Sequence, residues 1–229
     1  MKCLQAIGPY TISAYHYNEV NMTRKKTNYP KHNLKILCVS DFIDKELTRK
    51  VETREIKALD LIISCGDLAP EYLSFLRDRL DTPLYYVKGN HDIRYTSTNT
   101  MGCINIHNRV VSFHSLNIIG LEGSLWYNGG ANQYTDEEMK KIIFWNRFCM
   151  WRRGGIHMVV THAPPRHIHD REDRCHMGFE SFIPLIKKQN PDYFIHGHIH
   201  QDFRAFEDRI TQVNDTKVIN TCGYTIFQV

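Results

Sequence analysis

Five short apolar runs in this chain each end in side chains that can bind a metal ion. Continuous apolar runs of four to eight residues are typical of strands buried on both faces of a sheet. Open α/β sheets keep their chemistry at the carboxyl ends of such strands. In chain order the five ends carry Asp41, Asp67, Asn90 with His91, His162, and His198 with His200. Any one of them could be ordinary turn chemistry, but five coincident strand ends predict one shared site.

The first half of the chain alternates between strand and helix patterns. Apolar runs at residues 34–39, 59–64 and 84–87 predict strands. A charged helix is expected over residues 45–58, and a second helix begins at Pro70. Strands separated by helices in this way pair in parallel through right-handed crossovers.

Beyond residue 92 the predicted strands are shorter. Residues 103–106, 109–113 and 116–121 are expected to form antiparallel ribbons in a second sheet. Thr135 and Glu138 have the spacing of a capping box, and Met139, Ile142, Ile143 and Phe148 continue as an apolar helical stripe. Later segments are predicted as strands at 156–160 and 192–195, a helix at 179–189, and closing antiparallel strands at 217–221 and 224–229.

Composition limits the classes of protein to consider. A chain of 229 residues with 42% hydrophobic content can form one large domain, and no linker or repeat divides it, so we expect a single domain over residues 1–229. Residues 1–33 are predicted to be an edge hairpin or a loose lead-in. The net charge of +4 includes no dense basic stripe, so nucleic-acid binding is not expected. The sequence predicts a cytoplasmic protein without a membrane span, because its seven cysteines are scattered and no apolar run approaches ~20 residues.

The donors at the strand ends are oxygen and nitrogen atoms without thiolates. This set suits a divalent ion such as Mn²⁺, Fe²⁺ or Zn²⁺. A closed structural zinc site would more often use cysteines, and a purely structural role fits a set of this size poorly.

The combined motifs resemble those of the calcineurin-like metallophosphoesterases. The resemblance covers residues 34–223. Within the family, the chain is similar to small stand-alone phosphoesterases of bacterial type. It is carried, in family order, by Asp41, Gly66-Asp67, Gly89-Asn90-His91-Asp92, His162 and Gly197-His198-Ile199-His200. It implies a four-layer α/β/β/α sandwich, with two mixed β-sheets flanked by helices and two divalent metal ions at the strand tips.

The resemblance also implies a role for each matching residue. Asp67 would bridge the two ions, and Asn90, His162 and His198 would complete one site, while Asp41 and His200 would belong to the other. A phosphomonoester or phosphodiester would be hydrolysed by attack of a metal-bound hydroxide. His91 would act as an acid or stabilise the transition state, and either Asp92 or Glu71 would orient it.

The sequence departs from the family at Ile43. The family's first motif is Asp-x-His, so the first metal site has lost a ligand here. Water could fill the gap, Asp44 could turn inward, or the first ion could bind weakly. Asp44 is also a good N-cap for the following helix. We expect the first ion to be the more labile one.

Three further residues are candidates for binding substrate phosphate. His176 and Arg166 lie in a polar loop at 166–178, which could equally be a solvated surface loop, and Arg94 follows the central motif.

The expected partner is a small phosphate ester or nucleotide-like substrate. The alternative to an enzyme is a metal-bearing binding module with little or no turnover. The sequence does not determine the oligomeric state.

Overall fold

The computed structural model describes residues 33–96 and 100–229. The prediction for residues 1–33 therefore lies outside the described residues, apart from Asn33. The strands of the described chain are β1 (Lys35–Ser40), β2 (Leu61–Ser64), β3 (Leu84–Tyr86), β4 (Cys103–Asn105), β5 (Arg109–Phe113), β6 (Leu116–Leu121), β7 (Ser124–Leu125), β8 (Gln133–Tyr134), β9 (Met158–Thr161), β10 (Tyr193–His196), β11 (Ile210–Val213), β12 (Thr216–Asn220) and β13 (Gly223–Gln228). The helices are α1 (Lys45–Glu52), α2 (Pro70–Leu80), α3 (Asp136–Arg152) and α4 (Phe182–Gln189).

Most strands belong to two mixed sheets. The first has the order β13-β1-β2-β3-β4, and the second has the order β11-β12-β10-β9-β6-β5. In the first sheet β1, β2 and β3 are parallel, so their carboxyl ends lie on one edge. In the second sheet β6, β9, β10 and β12 are parallel and do the same. Each sheet therefore collects strand ends at one edge.

Alternation along the strands produces four layers. Successive side chains of a strand point to opposite faces of the sheet. Ile36 and Cys38 of β1 accordingly pack between the two sheets, against residues such as Ile118 and Met158. Leu37 and Val39 of the same strand point to the other face of the sheet, where they pack against α1 and α2. A third core joins the second sheet to α3 and α4. The α/β/β/α sandwich expected from the sequence is confirmed.

Three element-level predictions are wrong. Strand β4 does not belong to the second sheet, because it pairs in parallel with β3 at the edge of the first sheet. Strand β12 is parallel to β10 and antiparallel only to β11, a strand that the sequence pattern did not reveal. Phe148 is not on the buried stripe of α3; it is exposed, and Asn146 and Met150 are buried instead.

The predicted helix starts are explained by their caps. Asp44 accepts a hydrogen bond from the backbone N–H of Leu47 and so caps α1. Thr135 and Glu138 form the predicted capping box of α3. Helices α1 and α4 are shorter than expected.

None of the helices within residues 33–96 and 100–229 has the length and apolar content that a membrane span requires.

Candidate metal centre

The carboxyl edges of the two sheets meet at the candidate site. The loop after β9 accepts a backbone hydrogen bond there, from the N–H of Gly197 to the carbonyl of His162, at 3.0 Å. Gly197 also lies against β1, because a Cβ atom at this position would come within 2.7 Å of the Ser40 side chain. This close approach brings the loops that follow β1, β9 and β10 together.

Asp67 is held in place by the turn of the central motif. Its carboxylate Oδ1 accepts the backbone N–H of His91 at 2.9 Å. Its own N–H and that of Gly89 both donate to Oδ2 of Asp92, each at 2.8 Å. Gly89 is required because an added Cβ would lie 2.0 Å from Oδ1 of Asp67. The motif therefore fixes the direction of the Asp67 carboxylate.

His162 lies at the middle of the site. Its Nε2 is 3.2 Å from Oδ2 of Asp67, 3.1 Å from Oδ1 of Asn90 and 3.0 Å from Nδ1 of His198. These four donors come from loops after β2, β3, β9 and β10. Asp67, His162 and His198 also form the one three-residue group among the described His, Cys, Asp and Glu side chains whose spacing could hold a metal ion.

Both histidine rings are oriented by backbone carbonyls. The other ring nitrogen of His162, Nδ1, lies 2.8 Å from the carbonyl oxygen of Cys65, and Nε2 of His198 lies 2.6 Å from that of Cys175. A carbonyl can only accept, so each of these nitrogens carries the hydrogen and donates it. The remaining nitrogens, Nε2 of His162 and Nδ1 of His198, then face each other at 3.0 Å, with Asp67 and Asn90 beside the first. Metal-binding histidines are oriented in this way.

The spacing of these atoms fits one divalent ion. Two neighbouring ligands at right angles, each ~2.1 Å from an ion, lie about 3.0 Å apart. The contacts of His162 with its three neighbours are 3.0 to 3.2 Å long. The set of two imidazoles, a carboxylate and an amide oxygen suits Mn²⁺, Fe²⁺ or Zn²⁺.

The pKa values of the donor residues show that the site stabilises one positive charge at its centre. Burial lowers the pKa of His162, but the adjacent Asp67 outweighs burial and raises this pKa to about 9. Burial raises the pKa of Asp67, but His162 outweighs it, giving a pKa of about 2. Burial, followed by the charge of His162, lowers the pKa of His198 to about 3. A cation bound here would take the place of one proton on His162.

The donors expected at a second metal position are arranged differently. The Asp41 side chain is fully buried, and its oxygens accept the N–H of His198 and the hydroxyl of Ser40, each at 2.7 Å. Burial, followed by the charge of Asp41, raises the pKa of the nearby Cys222 thiol to about 11. Nε2 of His200 lies 3.9 Å from Oδ1 of Asp41, on a side chain that is 66% exposed.

The gap at Ile43 is not filled by Asp44. Ile43 is 48% exposed and does not line the cavity described below. Asp44 caps α1 instead of turning toward Asp41. Of the three outcomes considered for this position, the inward-turned Asp44 is therefore not the one that this fold adopts.

Three residues of the site have a positive φ without being glycine. These angles are 70° at Asp41, 57° at Asp67 and 69° at His198. Such backbone conformations are uncommon outside glycine and cost about 1–3 kcal/mol each. The hydrogen bonds of the Asp41 and Asp67 carboxylates offset part of this cost, and the strain is concentrated where the metal donors meet.

His91 lies at the boundary of two cavities. One cavity of about 480 Å³ is lined by Asp41, Asp67, Asn90, His91, Tyr127, Cys175, His176, His198 and His200. A second, of about 220 Å³, is lined by Asp67, Leu68, Ala69, Pro70, His91, Asp92, Arg94 and Tyr95. The exposed side chain of His91 therefore faces both spaces beside Asp67.

The two carboxylates considered as partners of His91 are used elsewhere. Asp92 is buried, and its Oδ2 accepts the two backbone N–H groups described above. Glu71 accepts a hydrogen bond from the guanidinium of Arg94 at 3.2 Å. Burial raises the pKa of Asp92 to about 7, against the lowering effect of the Gly89 N–H. In this geometry Asp92 organises the turn of the central motif.

The loop at 166–178 borders the site, but only some of its charged residues face a cavity. His176 lines the larger cavity, and its Nδ1 lies 2.8 Å from Oδ1 of Asp173. Arg166 does not line either cavity; its guanidinium pairs with Asp170 and Glu172, each at 2.7 Å. Arg94 lines the smaller cavity.

Tyr127 was not identified from the sequence. Its hydroxyl accepts a hydrogen bond from Nδ2 of Asn90 at 3.2 Å, which directs Oδ1 of Asn90 toward His162. The aromatic pair Trp126-Tyr127 before Gly129-Gly130 was the one signal that marked this loop.

The sequence matches one family profile, and the fold is similar to that of several solved structures. The family profile for calcineurin-like phosphoesterases matches residues 34–202. One solved crystal structure has 17% sequence identity and a TM-score of 0.61, and the match covers 85% of this chain and 94% of the other. A novel archaeal phosphodiesterase has 15% identity and a TM-score of 0.44, covering 86% of this chain and all of that one. Vacuolar Protein Sorting 29 from Cryptosporidium parvum has 13% identity and a TM-score of 0.44, covering 85% and 86%. No curated protein is detectably similar to the chain.

Proposed function

Because this chain belongs to the calcineurin-like phosphoesterase family, we propose that it hydrolyses small phosphate esters at the centre formed by Asp67, Asn90, His162 and His198. The observation that carries the proposal is the convergence of these donors around Nε2 of His162, at 3.0 to 3.2 Å. Four loops from two sheets supply them, and a cavity large enough for a substrate opens directly above.

The proposed site holds one ion tightly and a second ion weakly. Asp67, Asn90, His162 and His198 hold the first, and Asp41 with His200 contributes to the second. A bound divalent ion would neutralise charge on the phosphoryl oxygens and lower the pKa of a water molecule. The protein's part is to fix the donors, and Tyr127 and the carbonyls of Cys65 and Cys175 do this by orienting the amide and the two rings.

His91 is the proposed acid. Its backbone N–H is committed to Asp67, which fixes the position of the residue, and its imidazole is exposed between the two cavities. An imidazole in this place can donate a proton to the leaving oxygen while the phosphoryl group occupies the larger cavity. Asp92 supports it indirectly, by holding the backbone of the turn.

The cavities indicate the size of the substrate. A volume of about 480 Å³ falls within the ~300 to 1,000 Å³ that is usual for small-molecule sites. The smaller cavity, on the other side of His91, contains the Tyr95 ring and Leu68 and is a place for the leaving group. A nucleotide-like ester would fit the two together. His176, in the larger cavity, is the proposed contact of the phosphoryl group that is transferred, and Arg94, in the smaller cavity, is proposed to contact a phosphate of the leaving group.

The test is a panel of chromogenic phosphate monoesters and diesters with added Mn²⁺. We expect turnover of at least one ester, and a loss of about 100-fold or more in kcat/KM for Asp67→Asn and His91→Ala. His114→Ala is the matched control, because His114 is exposed and lies outside both cavities. Equal activity of the wild-type protein and Asp67→Asn would contradict the proposal.

A second candidate function is supported by the environment of Asp41. This carboxylate is buried and already accepts hydrogen bonds, and Ile43 is half exposed and does not line the larger cavity. A chain with one ion and no turnover would be a metal-bearing binding module. Tight binding of one ion together with no hydrolysis of any ester in the panel, at any Mn²⁺ concentration, would favour this alternative.

A further inference from the structure

The outward face of α3 carries four exposed aromatic side chains. Phe144, Trp145, Phe148 and Trp151 are 58%, 76%, 60% and 57% exposed. A helix that covers a sheet normally presents polar residues on its outer side. Contiguous exposed apolar surface of this kind marks an interaction site in a protein of this size. Among residues 33–96 and 100–229, the guanidinium groups of Arg147 and Arg152 lie over two of these rings, and each of the four aromatic residues stays more than half exposed.

The spacing of the outer residues forms a continuous seam along the helix. Glu138, Lys141, Trp145, Phe148 and Arg152 follow one another at intervals of three, four, three and four residues, and all are exposed. This alternation keeps side chains on one face and is the spacing through which helices pack against each other. The seam is therefore shaped to receive another helix.

Charge is distributed unequally along the seam. The seam has Glu138 at its start, Lys141 next to it and Arg152 at its end, and Glu137 and Arg153 flank the two ends. Two such helices packed in parallel would place like charges together. An antiparallel arrangement brings the acidic end of one against the basic end of the other, and it also opposes the two helix dipoles.

We propose that α3 is a self-association surface, through which two copies of this chain form a dimer with antiparallel α3 helices. The two-fold axis passes near Trp145, so that Trp145 packs against Trp145 of the second copy. Phe148 of each copy then lies over Lys141 and Ile142 of the other. Such an interface is isologous, as in most homodimers.

An anionic lipid surface is the alternative partner for α3, because the helix also carries cationic residues on its outer side. Arg147 and Arg152 stack on Phe144 and Phe148, with centroid distances of 5.7 and 5.9 Å, as in helices that lie on membranes. However, the acidic first turn lies on the same outer face, and an anionic bilayer would repel it. The second copy satisfies both ends of the helix and is the occupant we infer.

The test is sedimentation velocity of the full-length protein over a range of concentrations. We expect a dimer of the 26.9 kDa chain, which Trp145→Glu converts to a monomer because it places two carboxylates face to face at the axis. The matched control is Met101→Glu, since Met101 is 67% exposed on another part of the surface. This control should remain dimeric, and both variants should keep the phosphatase activity of the wild-type protein.

A charge exchange tests the antiparallel arrangement itself. Arg152→Glu should weaken the dimer by tenfold or more in Kd, and adding Glu137→Arg should restore most of the loss. Glu137 is chosen because Glu138 also completes the capping box of α3. A protein that is monomeric at all concentrations would overturn the proposal. Sedimentation with phosphatidylserine vesicles that depends on Trp145, by a protein that stays monomeric, would assign the face to a membrane instead.

Discussion

Nε2 of His162 lies 3.0 Å from Nδ1 of His198, at the edge where the two sheets meet. One ring is held by the carbonyl of Cys65, which follows β2 of the first sheet, and the other by that of Cys175 in the loop at 166–178. The two candidate metal ligands are therefore oriented by two separate parts of the fold. Such preorganisation is what separates a site from a chance cluster of polar residues.

The first prediction separates the two histidines of the last motif. His198→Gln should lower the affinity for the tightly bound ion by about 100-fold or more, because it removes a ligand. His200→Gln should leave that affinity unchanged, since the His200 side chain is 66% exposed and contacts only the Asp41 side of the site. Titration calorimetry with Mn²⁺ or Zn²⁺ measures both. An equal loss in the two variants would show that the ligand assignment is wrong.

The second prediction concerns the pH dependence of metal binding. The pKa of His162 is about 9 because of Asp67, so an entering ion must displace a proton at any pH below that value. Affinity should therefore rise by about tenfold per pH unit from pH 7 to 9 and level off above pH 9. Calorimetry in buffers of different ionisation enthalpy should detect close to one released proton per ion at pH 7. No proton release at that pH would contradict the assigned charge state.

The third prediction tests the role of Asp92 in the metal-free protein. Its folded pKa of about 7 lies above the unfolded value of 3.8, so the stability it contributes is present at low pH and is lost as pH rises through 7. Asp92→Asn should remove this loss and make the protein more stable than wild type at pH 8. Asp92→Ala should destabilise it by about 2–5 kcal/mol, because the N–H groups of Asp67 and Gly89 lose their acceptor.

Urea unfolding at pH 5 and pH 8, in the presence of a chelator, measures these differences. Equal destabilisation by Asn and Ala at both pH values would contradict the assigned role of Asp92.

The fourth prediction concerns the central glycine. Gly89→Ala should abolish tight metal binding, because the new methyl group would lie 2.0 Å from Oδ1 of Asp67 and 2.7 Å from Cε1 of His162. Gly130→Ala is the matched control, since its closest contact is the flexible end of Gln133 at 2.7 Å. Metal affinity and thermal unfolding of both variants distinguish a local effect from general destabilisation. Normal metal binding by Gly89→Ala would mean that the turn can move Asp67 without loss.

Local patterns predicted the strand ends, whereas the four layers were expected from the resemblance to the family. Buried strands appear as apolar runs, and the residues that follow them can be recognised as candidate metal ligands whichever way the strand pairs. Pairing is less visible. Strand β4 was assigned to the wrong sheet because its three residues carry no signal that separates parallel from antiparallel neighbours. Similarly, Phe148 was placed in the core by its spacing, whereas it lies on an outer face that only the complete fold defines.

The residues around the metal donors were harder to predict than the donors. Tyr127 and the carbonyl of Cys175 reach the site through loops, and no local pattern relates them to Asn90 or His198. Arg166 has the chemistry of a phosphate ligand, but its position depends on Asp170 and Glu172, which neutralise it. Roles that depend on long-range contacts follow from the fold and not from residue type.

The fifth prediction is the number of ions retained after mild chelation. Four donors converge on one point with contacts of 3.0 to 3.2 Å, whereas the Asp41 carboxylate already accepts hydrogen bonds from the Ser40 hydroxyl and the N–H of His198. A second ion must displace or share those hydrogen bonds, and the missing histidine at Ile43 leaves it one protein ligand fewer. We therefore expect one ion per chain to survive dialysis against a weak chelator, located by anomalous scattering between Asp67 and His162. Two ions of equal occupancy would show that water replaces the absent ligand at little energetic cost.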